Sequence, residues 1–144
     1  MHLKLTNGTP EKYSIGQLRR DNSNTSFPKV PSDELLAGWG VFPYSRPERP
    51  AYDPLTANVV DGSFVEVNGA WLMPWVVEQL PQDQAEGNIR SKRDGLLKET
   101  DWIVIKAYER NENVPAEWEM YRQALRDITA QEGFPHNVTW PTKP

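Results

Sequence analysis

Two apolar runs joined by Asn68-Gly69 constrain this chain more than any other feature: "SFVEV-NG-AWLMPWVV", residues 63–77. Asn-Gly accepts the positive φ angles of a type I′ turn, so the runs are expected to fold back as a tight hairpin over about 63–77. A two-residue loop sets the register, with Val67 opposite Ala70, Glu66 opposite Trp71, Val65 opposite Leu72 and Phe64 opposite Met73. One face then carries Phe64, Trp71, Met73 and Trp75, and the other Val65, Val67, Leu72 and Val76. Both faces are largely apolar, so each is expected to be covered. The same register sets Pro74 opposite Ser63 at a hydrogen-bonding position. Proline has no N–H to give, so the ladder is expected to stop or bulge there.

What surrounds the hairpin is punctuated by proline. Only 38% of the 144 residues are apolar, and there are 13 prolines. A compact chain of this length buries roughly 70% of its unfolded surface, enough for one domain or two very small ones. Six Trp and five Tyr offset the low apolar fraction, because each aromatic buries a large area. The expected outcome is several small packed layers joined by Pro-rich connectors. "HLKL" (2–5) reads as a short strand, and "YSIGQLRRD" (13–21) as one or two helical turns capped by Ser14, with Ile15 and Leu18 on one side. "SFPKVP" (26–31) is expected to be extended, because Phe27 and Val30 each precede proline. "SDELLAGWG" (32–40) reads as a short helix capped by Ser32 and stopped at Gly38 or Gly40. Four prolines in "VFPYSRPERPAYDP" (41–54) argue against any regular element there.

Beyond Gln82 the apolar spacing turns helical, at 85, 89, 96, 97, 103, 104, 107 and 108. This is one long helix, or two with a kink where Thr100-Asp101 caps a second helix beginning at Trp102. Pro115 suits the first position of a last helix, in which Trp118, Tyr121, Leu125 and Ile128 line one face, running to about Gln131 before Gly133 stops it. Arg122 and Arg126 are four apart beside that stripe. They read as a solvated, salt-bridged face, with contact to a partner or to the tail as the alternative. An extended tail follows, with Trp140 flanked by Thr139 and Pro141. The fold class is therefore α+β: a β-containing, Pro-rich region over 1–80 and a helical region over 82–144 of two or three helices with its tail.

Little in the chain points to catalysis. The net charge is −4 with no basic run, which argues against nucleic acid. There is no Cys, so disulfides, thiolate metal sites and Cys nucleophiles are excluded. The start, Met1 to Leu5, lacks the long apolar core of a secretion signal, and no apolar run is long enough to span a membrane, so folding in a cytoplasm is expected. His2 and His136 stand apart from any partner that would make a triad or metal pair, and no glycine-rich phosphate loop is present. "DNSNTS" (21–26) comes nearest to a calcium loop but lacks the central Gly and closing Glu. The reading is no catalytic residues, no cofactor and no metal. Trp71 and Trp118 lie on apolar faces and read as core; a sugar-stacking platform is the rival use of so many Trp residues. Trp140 must dock or stay exposed, and its own helices are the first candidate surface.

The C-terminal third carries a resemblance. "RDGLLKETDW" (93–102), "YRQALRDITAQEGFP" (121–135) and "VTWPTKP" (138–144) together resemble the bacteriophage tail assembly chaperone family. Its members carry an Arg-Asp-x-Leu-Leu-x-x-Thr-Asp-Trp segment, a Tyr-Arg-x-x-Leu-Arg-Asp helix and a Phe-Pro…Trp-Pro ending. The matching positions are Arg93, Asp94, Leu96, Leu97, Thr100, Asp101, Trp102, Tyr121, Arg122, Leu125, Arg126, Asp127, Phe134, Pro135, Trp140 and Pro141. The intervening "IVIKAYERNENVPAEW" (103–118) is longer and more charged than in the shortest members. "SFP", the Pro-rich run, "YDP" and the "VNGAW" hairpin are similar to small phage tail and tail-fibre accessory proteins.

The resemblance implies a non-enzymatic protein of phage tail or tail-fibre assembly, working in the host cytoplasm. Its implied partners are tail, baseplate or fibre proteins, with self-association into a homo-oligomer also open. A permanent virion part, such as an adaptor or hinge between baseplate and fibre, is the second reading. A carbohydrate-binding module at the host surface is the third.

Overall fold

The computed structural model describes residues 1–144. The chain divides into two compact units, one of residues 1–51 and 59–76, the other of residues 52–58 and 77–144. With strands in the N-terminal part and helices after them, the fold is α+β.

The first unit is built on a five-stranded sheet. β1 (His2–Thr6) pairs antiparallel with β2 (Thr9–Tyr13), from His2 opposite Tyr13 to Thr6 opposite Thr9. Their turn is Asn7-Gly8, with φ of 54° and 82°. It has the same chemistry as the Asn68-Gly69 turn, whose φ angles are 51° and 76°. Asn and Gly tolerate this left-handed region, and its twist matches that of the flanking strands. Helix α1 (Ile15–Asp21) starts with a full capping box: Ser14 Oγ accepts from Gln17 N–H at 3.0 Å, and Gln17 Oε1 accepts from Ser14 N–H at 2.9 Å. Helix α2 (Asp33–Ala37) is capped by Ser32, as expected, and ends at Gly38. Leu18 of α1, Leu36 of α2 and Val41 form a buried cluster, with Tyr13, Ile15 and Phe27 packed against it.

The expectation of no regular element over 41–54 fails at its start. Val41–Ser45 is a strand, β3, although it contains Pro43. It pairs antiparallel with β1 and parallel with β6 (Ala70–Leu72), giving the order β2-β1-β3-β6-β5. Tyr44 N–H donates to Met1 O on the β1 side. By alternation the Pro43 nitrogen faces β6, at the end where β6 only begins, so the missing donor leaves few ladder bonds unmade. The prolines after Ser45 do exclude regular structure, and that run is held by side chains instead. Trp75 Nε1–H donates to Pro47 O at 3.1 Å, and the Arg46 guanidinium lies 4.0 Å from the Trp75 ring centroid.

The hairpin has the expected register, with Val65 opposite Leu72, Glu66 opposite Trp71 and Val67 opposite Ala70. It is shorter than 63–77, because β5 spans only Val65–Val67 and β6 only Ala70–Leu72. The ladder stops before Pro74. The chain resumes as β7 (Trp75–Gln79), which pairs with β4 (Ala57–Asp61) in a separate two-stranded sheet. Pro74 O accepts from Gly62 N–H at 2.8 Å. A Cβ on Gly62 would stand 3.0 Å from that oxygen, so glycine allows the approach without a shift of the Pro74 backbone. One hairpin face is covered: Met73 is buried, and Phe64 packs edge-on against Tyr44. The other is not, since Val65 and Val67 of the edge strand remain exposed.

The second unit is helical. α3 (Gln82–Glu99), α4 (Asp101–Glu109) and α5 (Ala116–Arg126) are followed by a 3-10 turn over Asp127–Ala130 and the tail. The last helix therefore ends earlier than Gln131, tightening into 3-10 geometry as helix C-termini often do. Pro115 is the residue before the first helical position rather than that position itself. Ala85, Ile89, Tyr121, Leu125 and Ile128 supply the buried apolar residues of α3, α5 and the 3-10 turn. Asn88 Nδ2–H donates to Leu55 O at 3.0 Å, tying segment 52–58 to α3.

Candidate interaction site

The two helices before the α5 connection are separate because of Thr100. Its side chain does not cap α4; it turns back on α3. Thr100 is buried, and its hydroxyl donates to Leu97 O at 2.9 Å, with Leu96 O at 3.3 Å. The last carbonyls of a helix lack intrahelical partners, so this hydroxyl satisfies one locally. Arg122 completes the junction. Its Nη1 donates to Leu97 O at 2.8 Å and to Thr100 Oγ1 at 2.6 Å, and its Nη2 to Asp101 Oδ1 at 2.8 Å. The cation thus sits at the C-terminal end of α3, and the carboxylate in the first turn of α4; each is favoured there by the helix dipole.

This corrects the reading of Arg122 as part of a solvated face shared with Arg126. Arg122 is buried, whereas Arg126 is exposed and makes no hydrogen bond or ion pair. Leu97, Thr100, Asp101 and Arg122 come from two separate stretches of sequence, and the fold brings them into one network. Arg93 and Asp94 pair only with each other, at 2.7 Å. Asp127 Oδ1 accepts from Gln123 Nε2–H at 3.0 Å. Tyr121 and Leu125 are core residues, Tyr121 meeting Trp118 edge-on at 6.0 Å between centroids.

The tail lies along the same helices. Gln131 and Thr139 exchange two hydrogen bonds, Gln131 Nε2–H to Thr139 O at 2.9 Å and Thr139 N–H to Gln131 Oε1 at 2.7 Å. Trp140 is half-buried, with Lys92 Nζ of α3 4.3 Å from its ring centroid. The Arg90 guanidinium lies 5.4 Å from the Phe134 ring centroid. Lys143 Nζ is 3.5 Å from Glu99 Oε2. Pro135 is buried, and Pro141 is half-buried along a cleft that also touches Met120, Tyr121 and Ala124 of α5.

Helix α4 is the exposed element. Its inward side is Ile103 and Ala107, both buried. Outward it shows Trp102 at 59%, Ile105 at 56% and Tyr108 at 87% of full exposure, with Val104 beside them. Of these four, sequence reasoning marked only Trp102. The signal was present: "DWIVIKAYE" has apolar residues on every side, more than a helix with a single covered face can bury. Open clefts flank the helix. One, of about 640 Å³, is lined by Val104, Val114, Ala116, Glu119 and Arg126 among others, and the other, of about 200 Å³, by Trp102, Lys106, Arg110 and Trp118 among others. The arrangement offers contact chemistry of apolar faces rimmed by charges. No three His, Asp or Glu side chains gather as metal ligands would.

Residues 86–144 match the family model described as phage tail assembly chaperone protein. The match takes in the Arg122 network, α4 and the tail, and it includes no residue of the first unit. No curated protein and no solved structure matches the chain. No helix is long and apolar enough to cross a membrane.

Proposed function

We propose that the chain is a non-enzymatic assembly protein of bacteriophage tails, which binds a tail, baseplate or tail-fibre protein through the outward face of α4. The observation that carries this reading is the exposure of Trp102, Ile105 and Tyr108 on a helix whose first turn is held by Arg122, within the stretch that matches the family. A pre-positioned helix presenting aromatic anchors is a common mode of protein recognition, since little ordering is lost on binding. Burying the exposed parts of those three side chains contributes roughly 5 kcal/mol before association costs are subtracted. The interaction takes place in the host cell during assembly, when the partner's apolar surface is still uncovered.

Co-expression with each tail, baseplate and fibre protein encoded beside the gene tests the reading. A stable complex is expected with at least one of them, and Trp102→Ala or Ile105→Ser is expected to weaken it more than ten-fold. Binding indifferent to both substitutions would overturn the assignment to α4. Mass spectrometry of purified virions then decides the fate of the protein. Its absence from mature particles identifies a transient chaperone, and stoichiometric copies a permanent tail component.

A further inference from the structure

The exposed face of α4 has a pattern that fits a second copy of itself. Helical spacing sets Ile105 at the middle of the face. Trp102 and Glu109, seven residues apart, lie on one flank of it, and Asp101 and Tyr108, also seven apart, on the other. Trp102 Nε1–H, the Tyr108 hydroxyl and the Glu109 carboxylate make no hydrogen bond within the chain, and Asp101 is engaged only through Oδ1, by Arg122. Each flank therefore carries one aromatic donor and one acidic acceptor, near opposite ends of the helix.

An antiparallel two-fold pairing about Ile105 uses all four groups. It sets Ile105 on the second copy's Ile105, brings Trp102 beside the second copy's Glu109, and brings Tyr108 beside the second copy's Asp101. Each donor meets an acceptor, while the apolar centre is removed from water. A parallel pairing also sets each donor beside an acceptor, Trp102 beside the second copy's Asp101 and Tyr108 beside its Glu109, but it aligns the two helix dipoles, which antiparallel packing opposes. We infer that the free protein forms an isologous dimer through antiparallel packing of α4 on α4.

A helix of nine residues is only about 14 Å long, so the dimer buries less than the roughly 800 Å² per partner of a standard interface. It is accordingly weak and reversible. This inference rests on the same face as the proposed function: self-pairing covers the apolar surface until a tail protein displaces the second copy.

The chain has no cysteine, so a single introduced one reports its own neighbourhood. Ile105→Cys lies on the two-fold axis and is expected to form a covalent dimer in oxidised glutathione at least ten times faster than Val30→Cys, a more exposed control. In sedimentation equilibrium the unmodified chain is expected to show a monomer–dimer equilibrium, with Ile105→Asp weakening it by about ten-fold or more. Because Ile105 is exposed, folding of both variants is expected to be unchanged by circular dichroism. Cross-linking no faster than the control, a monomer at every concentration, or a dimer indifferent to Ile105→Asp each overturns the inference. Co-purification with a tail protein is measured separately, so loss of the dimer with partner binding intact removes the self-pairing and leaves the proposed function standing.

Discussion

Arg122 Nη1 donates to the carbonyl oxygen of Leu97 at 2.8 Å, across 25 positions of sequence. One guanidinium thereby closes the end of α3, engages the Thr100 hydroxyl and holds Asp101 at the start of α4. Arg122→Ala is expected to destabilise the helical unit by about 1–3 kcal/mol, because it removes three charge-assisted hydrogen bonds and the packing of a buried side chain, and leaves the buried Thr100 oxygen without its donor. Arg122→Lys is expected to recover only part of this, since an ammonium cannot span the three acceptors as a planar fork does. Urea denaturation followed by helical ellipticity checks both.

Trp140→Ala is expected to loosen the C-terminus. The ring packs by Lys92, and Thr139 is bonded to Gln131, so the loss extends beyond the tail. Amide hydrogen exchange is expected to rise over residues 131–144 and over 118–130. Unchanged protection of 118–130 would show that the tail gives α5 no support.

Glycine has opposite consequences in two places. Gly87 and Gly95 lie within α3, and a Cβ at either meets nothing within 4 Å. Gly87→Ala and Gly95→Ala are each expected to stabilise by about 0.5–1 kcal/mol, by lowering the entropy of the unfolded chain and raising helix propensity. Gly69→Ala also meets open space, but φ there is 76°, and the substitution is expected to cost about 1–2 kcal/mol. Thermal melts of the three variants should separate in sign.

Lys12 and Arg46 both donate to the Asp61 carboxylate, which holds its pKa below the ordinary carboxylate value of 3.8. A depressed folded-state pKa contributes stability that is present above pH 3.8 and is lost as the pH falls through the lower folded value. Asp61→Asn is therefore expected to lower the melting temperature at pH 6, with the difference from the unmodified chain shrinking below pH 3.8. A difference independent of pH would assign the effect to packing.

The local elements with strong chemistry were legible in the sequence. Ser14 and Ser32 announced two short helices, and Asn68-Gly69 announced a hairpin and its register. The same dipeptide at Asn7-Gly8 was passed over, although its turn is equivalent, because no strongly apolar run follows it in "TPEKY". That strand is an edge, and edges need little apolar character. Pro43 misled for a related reason. Proline is excluded by a complete ladder, and whether a ladder is complete at one residue depends on where the neighbouring strand begins.

The candidate site divides the same way. The motif residues were visible as a pattern, but not which of them met. Arg122 and Arg126 are equivalent by helical spacing, and only the packing of α5 on α3 buries one and leaves the other in water. Trp102 was marked without Ile105 and Tyr108, because a helix apolar on all sides does not declare which side is covered.

By itself the sequence determined the turns, the caps, the helical period and the stretch that resembles a phage assembly family, since each of these is a matter of a few neighbouring residues and their φ angles. The tertiary structure alone decided the pairing of β3 with two strands, the burial of Arg122 and the open face of α4. Those depend on which surfaces distant segments present to one another, and a residue's type does not determine what will lie opposite it.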